Sequence, residues 1–161
     1  MARAPLQVLV LPFRRKAGKL EYAIFRRADD ASWQGIAGGG EDLETPVEAA
    51  RREAEEEAGV PSPVSLYPLH STSTVPVTCI SEDQRKHWPR DLFVLPNHAF
   101  AVDCSEIQLR LSAEHTELQW VVYETAYELL RWESNRSRSG SSTSACLKAC
   151  CQSRNDAFDV R

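Results

Sequence analysis

The sequence predicts a mixed α/β (α+β) fold in which strands outnumber helices. Three observations lead there. Short apolar runs recur along the chain, one segment carries capping signals at both of its ends, and 42% hydrophobic content over 161 residues suits one buried core. One domain is expected, without a partner domain.

Residues 6–12 and 20–25 are apolar runs joined by Arg14-Arg15-Lys16-Ala17-Gly18-Lys19, a charged connection containing glycine, so they read as a β-hairpin. Arg26 and Arg27 then follow its second strand. Residues 45–58 switch to a helical pattern: Thr45 is the N-cap, Pro46 takes the first helical position, and Glu48 completes a capping box. Gly59 supplies the C-terminal stop and Pro61 prevents continuation. Residues 64–77 and 92–102, rich in Val, Leu, Phe, Thr and Tyr with interrupting Pro, read as strands with edges and bends. The segment 81–90 between them is polar and mostly aperiodic. Residues 118–122 read as a further strand, and 124–132 place Ala126, Leu129 and Leu130 at helical spacing.

A net charge of −4 argues against a nucleic-acid or anionic-membrane surface, because neutralising a phosphate backbone takes clustered Lys and Arg. Small phosphorylated ligands remain open. No apolar run is long enough to span a bilayer, and residues 1–5 lead into an apolar run without a small-residue cleavage site, which fits a buried strand of a cytoplasmic protein. Of the five cysteines, Cys79 and Cys104 stand in apolar surroundings, while Cys146, Cys150 and Cys151 crowd a Ser-rich tail; a disulfide framework is not expected.

Glu53, Glu56 and Glu57 lie at i, i+3 and i+4 and so share one helical face. Val47, Ala50, Ala54 and Ala58 form a narrow stripe beside them, which lets the helix pack closely on a sheet with Glu53 and Glu57 at a cleft edge. Hard oxygen ligands gathered this way suit Mg²⁺ or Mn²⁺ held together with phosphates and water. Gly38-Gly39-Gly40, placed before a carboxylate-lined helix, is read as letting backbone and phosphate approach closely; the bland alternatives are a flexible turn there and a solvated acidic face with Arg52 and Glu56 paired.

The spacing weighs against the bland reading. Residues 38–60 resemble the Nudix box, G-x5-E-x7-R-E-U-x-E-E-x-G-U, with Gly38, Glu44, Arg52, Glu53, Glu56, Glu57 and Gly59 on the fixed positions. At average residue usage, seven such matches arise by chance roughly once in 10⁸ placements. Ala54 fills the first aliphatic place with a small residue, and Val60 fits the last. The resemblance implies a Nudix hydrolase fold, a mixed β-sheet sandwiched between α-helices, and a Mg²⁺-dependent enzyme that cleaves a diphosphate linkage.

Outside the box, the run from Arg26-Arg27 through Trp33-Gln34 to Gly38 is similar to the R-R-x-D-x-x-x-W-Q-x-x-x-G approach of dihydroneopterin triphosphate diphosphatases and related dATP pyrophosphohydrolases. Glu114-His115 with Trp120, and Trp132-Glu133-Ser134-Asn135-Arg136, resemble two further elements of that branch. By this resemblance Glu53, Glu56, Glu57 and Glu114 ligate metal, Glu56 alternatively helps activate water, and Arg52 orients the glutamates. Arg26, Gly38 and Ser134 contact substrate, a nucleotide or pterin triphosphate. Ala37 stands where the branch can place a hydroxyl. Trp33 and Trp120 are read as core residues and His115 as a loop histidine. Other Nudix substrates, ADP-ribose or dinucleoside polyphosphates, are the enzyme alternative, and a non-catalytic ligand-sensing domain is the alternative of another class.

The resemblance covers residues 3–136, and the domain is set at 1–136. Residues 137–161 form a Ser/Cys-rich tail that composition alone reads as disordered. One permitted codon set for its start, TCG CGC TCT GGG AGC TCA ACG AGC GCC TGC, yields Ala-Leu-Trp-Glu-Leu-Asn-Glu-Arg-Leu after two nucleotides are skipped. An amphipathic helix of that kind makes an out-of-frame tail a specific hypothesis, and incompatible codons in the gene would refute it. A metal or redox cluster of the three tail cysteines lacks a second ligand pair at zinc-finger spacing.

Overall fold

In the computed structural model, which describes residues 2–70 and 73–130, the first hairpin forms as its residues dictate. Strand β1 (Arg3–Lys16) pairs antiparallel with β2 (Lys19–Arg27) from Phe13↔Tyr22 to Lys16↔Lys19. Its turn residues Ala17 and Gly18 both have positive φ, 50° and 74°, which a tight two-residue hairpin demands.

β1 then organises the rest. One of its edges runs parallel to β7 (Val94–Asp103), from Gln7↔Asn97 to Phe13↔Asp103. Its other edge is shared. β4 (Ile36–Glu41) covers it antiparallel from Arg3↔Glu41 to Val10↔Ile36, and β2 covers it beyond. Where β2 leaves β1 it pairs with the short β3 (Trp33–Gln34) and with β8 (His115–Val121). The short strands β5 (Leu66–Pro68) and β6 (Ser73–Pro76) flank β7, completing a mixed sheet.

Residues alternating along β1 and β2 feed two apolar layers. Val8, Val10, Ala23 and Phe25 pack beneath α1 (Pro46–Ala58) with Ala49, Ala50, Ala54 and Ala58. Leu9, Leu11, Phe13, Tyr22 and Ile24 face the other way, toward Ala126 of α3 (Tyr123–Leu129). The sheet is therefore sandwiched between helices, as expected. Cys104 closes the first layer, and burial pushes its thiol up to about 12. Trp33 and Trp120 pack half-buried against the two layers, in line with their reading as core residues. Among the described residues no helix is long and apolar enough to cross a membrane.

Several expectations are corrected. The bland alternative for Gly38-Gly39-Gly40, a flexible turn, does not hold, since the glycines lie in β4, fixed by pairing with β1. The small-residue stripe of α1 uses Ala49 in place of Val47, which is exposed. Cys79 is exposed at the end of a 3-10 turn (Val77–Cys79). The aperiodic segment contains a short helix, α2 (Glu82–Arg85). Residues 131–136, Ser134 among them, and the tail 137–161 lie outside the described residues.

The α1 capping box is complete. Thr45 N–H donates to Glu48 Oε2 at 2.8 Å, and Glu48 N–H donates back to Thr45 Oγ1 at 3.4 Å. Gly59 caps the other end with φ 68°. Thr45→Ala is expected to cost about 1 kcal/mol and lower Tm by roughly 3 °C in a thermal melt.

Candidate active site

Arg52 gathers the acidic residues around α1. Its Nε and Nη2 reach both carboxylate oxygens of Glu44, at 2.9 and 3.1 Å. Nη1 donates to Glu53 at 3.0 Å and to Glu56 at 3.2 Å, and Nη2 also donates to the Gly39 carbonyl at 2.8 Å. A planar guanidinium suits this multidentate role, and lysine would lose it. The same bonds hold the Glu44 carboxyl below its ordinary range. Glu44 also accepts from the Glu41 N–H at 2.9 Å, which ties the end of β4 to the helix.

Glu57 is the buried member, only 4% exposed. Its pKa is pushed up to about 8, first by burial and then by the charges of Glu53 and Glu114, while an N–H bond from Ala37 works the other way. Glu57 and Glu53 hydrogen-bond to each other, and Glu57 Oε2 is enclosed without a partner. Burial likewise raises Glu53, against the pull of Arg52.

The strand glycines make room for this arrangement. A side-chain carbon at Gly38 would fall inside the Glu53 carboxyl, and one at Gly39 inside the Arg3 guanidinium. Gly38 thus admits a carboxylate against the strand. Arg3 lies across Gly39 and donates to Gln7 Oε1 at 2.8 Å, while its Nε is buried without a partner. Beside Glu53 and Arg3 opens a polar cavity of about 390 Å³, closed on the far side by Asp83, Gln84, Lys86 and His87 of α2 and its following turn. Trp88 pins that segment to β1 by donating from Nε1 to the Arg3 carbonyl at 2.7 Å.

The structure brings together Gly38, Glu44, Arg52, Glu53, Glu56 and Glu57, with Gly59 ending the helix. Within this group Glu56 points outward, its side chain 60% exposed and bound to Arg52. Glu114 is exposed but near enough for its charge to act on Glu57. Arg26 is placed elsewhere. It follows Tyr22 and Ile24 on the α3 face of the sheet, donating to the Ala31 carbonyl at 3.3 Å and lying 3.7 Å from Glu117. Its neighbour Arg27 is the one whose charge interacts with Glu114 and His115.

Sequence reasoning missed three features. His115 is not a loop histidine but a buried residue opening β8 and facing Glu57 at 3.6 Å. Arg3 gave no signal beyond a basic residue ahead of the first strand. The cavity wall from 83 to 87 was visible only as charge without periodicity.

Among the described residues no three His, Cys, Asp or Glu side chains stand together as a ready-made metal cage. The donor set nonetheless fits a divalent cation, since the Glu57 carboxyl is hydrogen-bonded to Glu53, which lines the polar cavity, and keeps a buried Oε2 with no hydrogen-bond partner. The raised Glu57 pKa carries a sign. Stability from keeping this group protonated is fully present below its unfolded value near 4.5 and is lost as pH rises through about 8. Mg²⁺ binding to the ionised form is therefore expected to raise Tm more at pH 9 than at pH 6. Equal Mg²⁺-dependent shifts at both pH values would count against cation binding at Glu57.

A mixed sheet between helices is an architecture this chain shares with solved structures. A Listeria monocytogenes protein described as a NUDIX hydrolase superposes with a TM-score of 0.74 at 35% identity, over 90% of this chain and 95% of that one. The E. coli dihydroneopterin triphosphate pyrophosphohydrolase gives 0.64 at 23% identity, over 84% and 92%. A C. elegans Ap4A hydrolase gives 0.63 at 19%, over 88% and 96%. The last two likenesses are of fold alone. No match was found among curated proteins. The NUDIX domain family model matches residues 4–139, and the chain belongs to that family as a Nudix hydrolase. Enzymes of the family act on phosphorus-containing anhydrides and generally use divalent metals.

Proposed function

We propose that this Nudix hydrolase is a Mg²⁺-dependent pyrophosphohydrolase, with Mn²⁺ as a substitute, acting on dihydroneopterin triphosphate or a nucleoside triphosphate such as dATP. The observation that carries the reading is the Glu53–Glu57 carboxyl pair: Glu57 keeps an unpartnered buried oxygen, and Glu53 lines a polar cavity of about 390 Å³. The cavity wall carries Arg3 and Lys86 together with Glu41, Glu53 and Asp83. Both signs are needed where cations and phosphates meet.

In this reading Glu53 and Glu57 hold the cation, with Glu56 and Glu114 as outer carboxylates. The cation supplies Lewis acidity and lowers the pKa of a bound water. Arg52 keeps Glu53 and Glu44 in place, and Gly38 lets Glu53 lie against β4. Arg3, with its free Nε, and Lys86 offer charge to the phosphates. Attack of water on a phosphorus of the diphosphate yields a monophosphate and pyrophosphate. Arg26 and Ser134 keep the place the branch resemblance gives them, as substrate contacts outside the carboxylate pair. A cytoplasmic setting suits such a substrate.

The branch rests on the motifs around Arg26-Arg27, Glu114-His115 and Ser134. Product formation should be followed by ³¹P NMR with dihydroneopterin triphosphate, dATP, ADP-ribose and a dinucleoside tetraphosphate in Mg²⁺, since the first two release pyrophosphate and the last two only organic phosphates. Release from the first two is expected. Turnover confined to the others would move the substrate to ADP-ribose or dinucleoside polyphosphates, and turnover of none would favour a ligand-sensing domain.

A further inference from the structure

His115 opens β8 with its side chain fully enclosed, its ring centroid 5.2 Å from that of Phe25. Its Nε2 faces Glu57 Oε2 at 3.6 Å, and neither atom has a hydrogen-bond partner. Two enclosed polar atoms left facing each other need a reason, since such groups are normally satisfied.

The opposite side of the ring is supplied. The Glu114 N–H donates to Ser112 Oγ at 3.3 Å, and the Ser112 hydroxyl lies 3.4 Å from His115 Nδ1, to which it can donate. With Nδ1 accepting, a neutral ring carries its hydrogen on Nε2, aimed at Glu57. The loop that carries this relay is stitched to the last turn of α1: Ser112 N–H donates to the Glu57 carbonyl at 3.2 Å and Arg110 N–H to the Ala58 carbonyl at 2.9 Å. The donor and the carboxylate it faces are thereby held by one local framework.

We propose that His115 is a positioning residue, its Nε2–H fixing the Glu57 carboxylate in the orientation that binds the divalent cation. This rests on the reading of Glu57 as a metal ligand. Partners in this outer position typically change metal affinity by about 10- to 100-fold when removed. Neither a strand-end histidine nor a plain core aromatic would do so.

The test is Mn²⁺ binding to the full chain, followed by electron paramagnetic resonance without substrate, for the wild type and for Glu57→Gln, His115→Gln, His115→Asn and His115→Phe. The amide nitrogen of Gln can stand where Nε2 stands, whereas that of Asn matches Nδ1. The expected result is affinity within threefold of wild type for H115Q, and at least about tenfold weaker for H115N and H115F. Should H115F fail to fold, the two amides decide, since they share polarity and differ in reach. Equal affinity of H115Q and H115N, or wild-type affinity in H115F, overturns the role of His115. Wild-type affinity in E57Q, or no Mn²⁺ binding by the wild type, instead overturns the metal site on which it rests.

Discussion

Glu57→Gln is expected to lower kcat/KM in Mg²⁺ by about 10³-fold, because a cation's charge stabilisation of the transition state amounts to several kcal/mol. The amide keeps the shape of the carboxyl but not its negative charge. The substitution also isolates chemistry from folding. Burial and the charges of Glu53 and Glu114 already hold Glu57 toward its neutral form, so a neutral amide adds no buried charge. Metal-free melting temperatures of the two proteins should agree near pH 6. Activity within tenfold of wild type would remove Glu57 from the catalytic machinery.

Gly38→Ala is the second large effect. An added methyl overlaps the Glu53 carboxyl, which Arg52 holds from the other side at 3.0 Å. The carboxyl must move by an ångström or more, and misplacement on that scale costs about 10²-fold in rate. Alanine is tolerated by an extended strand, so pairing with Val8 should survive. The expected pattern is a folded protein with a rate loss of about that size. Unchanged turnover would mean that Glu53 does not need its place against β4.

What the sequence made legible was local chemistry. The Thr45–Glu48 box, Pro46 and Gly59 each act within a few residues, so the helix could be placed to its ends. The Arg52–Glu56 spacing follows from the helical repeat, as does the proximity of Glu53 to Glu57. Which glutamate is buried did not follow, because that depends on the sheet beneath. Strand β4 was illegible for a related reason: three glycines have little strand preference of their own, and β1 imposes the conformation through the Gln7↔Gly39 and Val8↔Gly38 pairs.

Long-range placement hid the rest. His115 looks like a loop residue until β8 pairs with β2 and the loop before it bonds to the last turn of α1. Arg3 and Lys86 are 83 positions apart and line one cavity where Trp88 fastens the segment after α2 to β1. Arg26 and Arg27 are adjacent in sequence, yet a register shift in the β2–β8 pairing lies between them, and alternation sends them to opposite faces.

The most direct measurement of the central claim, that a cation held by Glu53 and Glu57 makes this chain a diphosphate hydrolase, is ³¹P NMR of dATP with the purified protein in Mg²⁺ and in excess EDTA. The expected spectra show a nucleoside monophosphate and pyrophosphate growing in together in Mg²⁺, no conversion in EDTA, and no comparable conversion by Glu57→Gln in either. Conversion that persists in EDTA, or that Glu57→Gln sustains at the wild-type rate, would contradict the account.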